Sequence, residues 1–397
     1  MPSEELLSEL LAKPVGPEIK ARKTDPAKDF TKQVEVTGDT AEVTVNAETK
    51  TEADAARGVL IEQDLNPDEW DVAGFRVSEW TRPNGDPGIS TRYTFKRKAK
   101  AAAGGRLPID ELLAAIRVQI PSIGDRPTGA WGLVVLIGDT QFGKSDGDGI
   151  EGTVKRAIEC IDKAAQQIRT LGNLFRIGHI HVVFLGDHVE GFVSQSGANT
   201  WRTQLTLTEQ IRLTRRMMLH AVLAFAPLSD TVTFAAVPGN HDQAVRVAGK
   251  GVTKYDDSHD CESLIAVADA VKLAESRGLD HVQFFVPESD ELTVTLDVAG
   301  TVVTAAHGHM WRPGQHMKWW QGQAFNRDSA MHQTDLLVAG HLHHLVVDTD
   351  GHRTFIQAPA LESESTWFRH ATGTGGAPGI VLALTQGGKT DLIQTIR

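Results

Sequence analysis

Five short apolar runs each end in polar residues of the kinds that bind metal ions. They are Gly132–Ile137 before Gly138-Asp139-Thr140-Gln141, His179–Leu185 before Gly186-Asp187, and Thr231–Val237 before Pro238-Gly239-Asn240-His241-Asp242. Thr301–Ala306 before His307-Gly308-His309 and Asp335–Ala339 before Gly340-His341-Leu342-His343 complete the set. Carboxylate, carbonyl and imidazole groups suit hard divalent cations such as Mn2+ and Mg2+. Together the five ends supply ligands for two ions. Two cysteines, Cys160 and Cys261, are too few for an all-thiolate site.

A Val/Leu/Ile/Ala block bounded by Gly or Pro reads as a buried strand. Ligands of open α/β sheets bind beyond the carboxyl ends of such strands. Residues two apart on a strand share a face. That period, continued past the strand end, predicts that Asp139 and Gln141 address one ion and that His341 and His343 reach the same site. Asp187, where the central strand ends, is expected to bridge two ions.

The elements that position these groups lie in residues 129–397. Helical spacing marks 150–171, 203–225 and 258–276, and later strands are expected near 291–298, 353–358, 379–385 and 391–396. Residues 1–28 read as a flexible arm with at most a short helix at Glu4–Leu11. Residues 30–98 read as a separate small α/β module: a hairpin around Thr37-Gly38-Asp39-Thr40, a helix within Thr51–Leu65, and strands at Val72–Trp80 and Ser90–Lys98. Residues 99–128 form a connector with a helix at Ile109–Ile116.

A formal net charge of −11 argues against a uniformly basic nucleic-acid-binding chain, so any such contact must be local. The cysteine usage fits a reducing compartment. No apolar stretch approaches the roughly 20 residues that span a bilayer, and the expectation is an intracellular, cytoplasmic protein without a membrane partner.

In order, Asp139-Thr140-Gln141, Gly186-Asp187, Gly239-Asn240-His241-Asp242, His307-Gly308-His309 and Gly340-His341-Leu342-His343 match the five motifs of calcineurin-like metallophosphoesterases. The chain resembles that superfamily over roughly residues 130–360. Within it the chain is similar to the DNA repair exonuclease and bacteriophage metallophosphoesterase branch, which would place it in the host cytoplasm. The resemblance implies an α/β (α+β) fold, a four-layer β-sandwich flanked by helices, with the small N-terminal α/β module beside it. It implies two divalent ions, Mn2+ foremost, with Mg2+, Fe2+ or Zn2+ as alternatives. Asp139, Asp187, His343 and Gln141 would hold the first ion, and Asp187, Asn240, His307 and His341 the second. His241 would be the catalytic histidine near the leaving group, oriented by Asp242. A metal-bridging hydroxide would attack phosphorus in line, between ions roughly 3.5–4 Å apart. The superfamily's usual first motif is Asp-x-His. Gln141 departs from it, either as a weak neutral ligand or as a residue hydrogen-bonded to a bound water.

Arg312, Lys318 and Trp319 follow the His-Gly-His motif, and aromatic rings beside basic groups can stack bases and hold phosphates. The alternative is that the tryptophans pack a helix on the domain edge. Lys96, Arg97 and Lys98, with Arg92, form a basic run without acidic neighbours in sequence, next to Trp80, Tyr93 and Phe95, and could grip a nucleic-acid backbone. The expected function is a two-metal phosphodiesterase on nucleic acid, a DNA exo- or endonuclease. Alternatives are an enzyme for small phosphoesters such as cyclic nucleotides and, third, a non-catalytic scaffold.

Overall fold

The computed structural model describes residues 33–37, 40–46, 56–63, 65–67, 70–81, 86–97, 107–121, 124–192, 203–244, 254–274, 278–327, 329–363, 369–370, 373 and 375–397. The arm at 1–28, its helix at 4–11 and Lys98 lie outside them. The chain divides into two compact units, Met1–Ala103 and Gly104–Arg397.

The first unit is an antiparallel sheet of β1 (Gln33–Thr37), β2 (Thr40–Asn46), β3 (Trp70–Thr81) and β4 (Pro87–Arg97), in the order β1-β2-β4-β3. Alternation decides its faces. Ala41, Val43 and Val45 of β2 and Tyr93 and Phe95 of β4 turn inward against Ala56, Val59 and Leu60 of α1 (Ala56–Glu62). Arg92 and Lys96, the alternate residues of β4, are exposed.

In the second unit, α2 (Ile109–Ala115) lies in the segment read as a connector, and its Leu112 and the following Ile116 are buried in the unit's core. A six-stranded sheet contains β5 (Trp131–Ile137), β6 (Ile177–Phe184), β7 (Thr231–Ala236), β8 (Val282–Phe285), β14 (Ile380–Gln386) and β15 (Lys389–Ile396), in the order β15-β14-β5-β6-β7-β8. Its β5 to β8 are parallel. A five-stranded sheet contains β9 (Val294–Val298), β10 (Thr301–Ala305), β11 (Leu336–Ala339), β12 (Val346–Asp350) and β13 (Arg353–Gln357), in the order β12-β13-β11-β10-β9. Here β10, β11 and β13 are parallel and both edge strands antiparallel.

Four layers result. Leu133, Val135, Ile137, Val182 and Phe234 pack the outer face of the six-stranded sheet against α3 (Gly149–Gly172), α4 (Leu207–Phe225) and α5 (His259–Leu273). The alternate residues Val134, Leu136, Val183 and Ala235 meet Val303, Leu336, Val338 and Ile356 of the other sheet. On the far side, Leu337 and Phe355 carry Trp311 and Trp320, the latter from α6 (His316–Phe325). Strands buried on both faces read as continuous apolar blocks, which is why β5, β6 and β7 stand out in the sequence. No helix of the described residues is long and apolar enough to cross a membrane.

Candidate metal centre

The carboxyl ends of β5, β6, β7, β10 and β11 deliver the polar residues to one place, across both sheets. The strands stop before the polar residues, at Ile137 and Ala339. The strand period therefore does not carry Asp139 and Gln141, or His341 and His343, to a common site. Left-handed turns do: φ is 44° at Asp139, 39° at Gln141, 54° at Asp187, 73° at His341 and 58° at His343. Among the described residues only Asp290 and Ala299 share this conformation without being glycine. It is disfavoured for side chains with a Cβ and persists where the surroundings over-determine it. Here backbone bonds between loops do so, from Gln141 N–H to the Asp187 carbonyl (3.0 Å) and from Phe142 N–H to the His188 carbonyl (2.8 Å).

Asp187 is buried at the centre. Its Oδ1 accepts from the backbone N–H of Asn240 and of His241, both at 2.8 Å. Its Oδ2 lies 2.9 Å from His307 Nε2, which in turn lies 3.2 Å from Asn240 Oδ1. His307 Nδ1 donates to the Leu185 carbonyl at 2.6 Å, which commits that nitrogen and turns Nε2 inward. Asp187, His307 and His341 each present one ligand atom within 4.8 Å of the others. Nearby, Asp139 Oδ2 accepts from His341 N–H at 3.0 Å, and Asp139 Oδ1 lies 3.2 Å from His343 Nε2. His343 Nδ1 donates to Glu362 Oε1 at 2.8 Å.

These groups fit divalent cations. Ligands about 2.1 Å from an ion and at right angles stand about 3 Å apart, the spacing of the facing carboxylate oxygens and ring nitrogens here. Asp139 Oδ1 is buried and faced by the ring nitrogen of His343. Burial disfavours charge on the imidazoles, yet Asp187 outweighs it at His307 and pushes its pKa up to about 9. At His343 burial is likewise outweighed, by Asp139 and then Glu362, to about 10. The potential that draws protons to these rings draws metal ions equally. At Asp187, burial works to raise the pKa, but His307 and His241 hold the carboxyl well below the usual range.

Gln141 is in the cluster, but its oxygen accepts from Lys144 Nζ at 3.0 Å, while its Nε2 lies 3.5 Å from His343 Nε2. His241 corrects an expectation: Asp242 does not orient it. Its Nδ1 lies 3.2 Å from Glu190 Oε2, a buried carboxylate. Asp242 points back under its own turn, accepting from Gly239 N–H at 2.7 Å and from the Ser258 hydroxyl, which also caps α5. Burial and then Asp187 push the Asp242 carboxyl up to about 6. At His241, burial is outweighed by Asp187 and then Glu190, and the ring rises to about 9.

Glu190, Glu362, Lys144 and Asp260 are the site residues that sequence reasoning missed. Asp260 is buried and accepts from His188 N–H at 2.7 Å. Glu190 had a local signal, as a carboxylate just past Asp187. Glu362 arrives from the loop after β13, where Glu362 N–H donates to the Asp139 carbonyl at 3.1 Å, and no motif announces it. His188 bonds the Thr140 hydroxyl (3.1 Å) and His344 the Leu342 carbonyl (2.6 Å). His309 sits with its ring centroid 5.4 Å from that of His307.

Arg312, Lys318 and Trp319 are not drawn into this cluster. Trp319 is half-buried against Trp311, centroids 4.5 Å apart, in the outer layer; Arg312 and Lys318 are exposed. Lys96 and Arg97 are on β4 of the other unit. Across the sheet that run has acidic neighbours. Arg92 lies 3.8 Å from Glu42, and Lys96 is in register with Asp71. Tyr93 and Phe95 are core residues and offer no stacking surface.

A calcineurin-like phosphoesterase family model matches residues 132–345. Among solved structures, vacuolar protein sorting 29 of Cryptosporidium parvum is 16% identical, with 67% of this chain and 98% of that chain covered and a TM-score of 0.31. An archaeal phosphodiesterase is 12% identical, covering 66% and 98%, with a TM-score of 0.30. A predicted phosphoesterase of Streptococcus pneumoniae is 11% identical, covering 64% and 84%, with a TM-score of 0.28. No curated protein matches the chain. With the family's motifs converging at the ends of both sheets and its model spanning 132–345, the chain belongs to the calcineurin-like phosphoesterases, whose chemistry is metal-dependent phosphoester hydrolysis.

Proposed function

We propose that this protein is a phosphodiesterase acting on nucleic acid, with DNA as its substrate in exo- or endonucleolytic cleavage. The observation that carries the reading is His241, held by the buried Glu190 beside the ligand cluster. A sugar oxygen is a poor leaving group and departs more readily with a proton. An imidazole whose pKa is pushed up to about 9, with burial outweighed by Asp187 and Glu190, is available as that acid at neutral pH. Asp139, Asp187, Asn240, His307, His341 and His343 would hold two divalent ions, and their mixed oxygen and nitrogen donors favour Mn2+. When bound, the ions supply an acidified water and neutralise charge on the phosphoryl oxygens. Asp187, taking two backbone donors on one oxygen and facing His307 with the other, sets the spacing of the centre. Exposed Arg312 and Lys318 offer cations for the flanking phosphates.

One observation favours small phosphoesters such as cyclic nucleotides instead: Tyr93 and Phe95, the aromatics of the basic strand, are buried and Arg92 stands by Glu42. A Mn2+-supplemented assay on labelled single-stranded DNA, duplex DNA, a cyclic nucleotide and a chromogenic diester separates the two. Cleavage of DNA at a higher kcat/KM than the cyclic nucleotide is expected. Ready hydrolysis of the cyclic nucleotide with DNA untouched would transfer the assignment.

A further inference from the structure

Gln141 stands where the superfamily's first motif usually has an imidazole, and its orientation is fixed by a group that can only donate. Lys144 Nζ lies 3.0 Å from Gln141 Oε1 and 2.6 Å from Glu362 Oε2, with the Lys144 and Glu362 side chains 16% and 4% exposed. An ammonium has three donors and no acceptor, so the amide oxygen must face it. The NH2 group then faces His343. An amide nitrogen of this kind has no free lone pair to give a metal ion. The same ion pair acts on His343 in the opposite sense. Glu362 Oε1 accepts from His343 Nδ1–H, which leaves Nε2 directed at Asp139 Oδ1. One buried pair thus presents one ligand and withdraws another.

We infer that Lys144 and Glu362 are positioning residues that make the metal centre unequal. They hold the Gln141 oxygen away from the ion position at Asp139 and His343. That position is left one ligand short and binds its ion weakly, while the position at Asp187, Asn240, His307 and His341 binds its ion tightly. The inference rests on the metallophosphoesterase reading of the site.

The test is calorimetric titration of the full-length, metal-stripped protein with Mn2+, with ions per chain counted after dialysis. The parent should bind in two steps whose affinities differ by about tenfold or more. Lys144→Met keeps the side-chain length and removes the donor, so the amide can turn its oxygen inward. The weak step should tighten by about tenfold, with the tight step unchanged. Lys144→Arg keeps a donor and should keep the weak step. Removing one partner of a buried pair can unfold the loop, so Gln141→Ala gives an independent reading. Losing a group that is not a ligand should leave the weak step within about threefold of the parent. Two equal steps in the parent, no tightening in folded Lys144→Met, or a loss of about tenfold or more in Gln141→Ala would each overturn the inference and leave the enzyme assignment standing. Failure of every form to bind Mn2+ would overturn the metallophosphoesterase reading, and this inference with it.

Discussion

His241 Nδ1 lies 3.2 Å from Glu190 Oε2, and the two residues come from loops that follow different strands, β7 and β6. The neighbour in sequence, Asp242, is engaged with the Gly239 N–H and Ser258 instead. The two carboxylates should therefore separate cleanly by mutation. Glu190→Gln keeps an acceptor for the imidazole but removes the charge that helps hold its proton. General acid catalysis contributes about 10²–10⁴-fold. The variant should lose activity on a diester with a poor leaving group and much less on an activated chromogenic ester, and the alkaline limb of its pH–rate profile should move to lower pH. Asp242→Asn should lower stability without changing the ratio between the two substrates. A leaving-group effect that follows Asp242 and spares Glu190 would assign the roles the other way.

Two glycines are required by close approach to the ligand carboxylates. A Cβ on Gly239 would stand 2.0 Å from Asp187 Oδ1, and one on Gly340 would stand 2.6 Å from Asp139 Oδ2. Neither carboxylate can retreat, because each is buried and tied to backbone donors. Gly239→Ala and Gly340→Ala should each weaken Mn2+ binding by an order of magnitude or more, read by calorimetry on folded protein. Gly322 of α6 is the control, since a Cβ there meets nothing within 4 Å. Gly322→Ala should raise stability by about 0.5–1 kcal/mol, the usual helix-interior difference, and leave metal binding alone.

The sheet strands were legible because burial on both faces removes polar residues from them. The runs ending at Ile137, Leu185, Val237, Ala306 and Ala339 all proved to be strands within a residue or two. β12 was not legible: Val346–Asp350 is an edge strand, mostly exposed, so nothing forces an apolar pattern on it. The metal-binding side chains could be named in advance because each follows its strand directly. Their support could not. Glu362 reaches His343 from a distant loop, and Lys144 reaches both Glu362 and Gln141, through contacts that only the folded chain makes. The basic run on β4 teaches the converse. Strand period alone puts Tyr93 and Phe95 on the face opposite Arg92 and Lys96, so aromatic and basic residues adjacent in sequence cannot form one stacking surface.

His181, on the inner face of β6, makes stability depend on pH. Its Nδ1 is 2.8 Å from the Thr233 hydroxyl, and burial, then the neighbouring His179, drives its pKa down from 6.5 to about 3. The folded value lies below the unfolded one, so the unfolded chain takes up the proton first as pH falls. The stabilisation is therefore complete above pH 6.5 and is lost progressively toward pH 3. One such group gives a slope of up to about 1.4 kcal/mol per pH unit in that window. His181→Leu leaves Thr233 its bond to His179 Nε2 (2.9 Å) and should flatten the acid limb of denaturant midpoints measured between pH 4 and pH 7. Parallel curves for variant and parent would mean that His181 takes up its proton at the same pH in the folded as in the unfolded chain, and that burial does not depress it.

The salt dependence of DNA binding tests where a polymer substrate would lie. Arg312 and Lys318 are exposed in the segment that leaves the His307-Gly308-His309 end, and Lys96 is exposed on β4. Each phosphate contact contributes about 0.9 to the slope of log K against log salt on duplex DNA. Arg312→Gln and Lys318→Gln should each lower that slope by close to this amount and weaken binding similarly on all sequences, since a phosphate contact reads no base. Lys96→Gln should lower it by less, because Lys96 is in register with Asp71 and its field is already partly neutralised. Hydrolysis of a small chromogenic diester should be unchanged in all three, because none of these residues is a candidate metal ligand or the candidate acid. If the catalytic-unit variants keep the parent's slope and only Lys96→Gln lowers it, the polymer is held by the N-terminal module. If no variant changes the slope while DNA is still cleaved, the phosphates are held by residues other than these three.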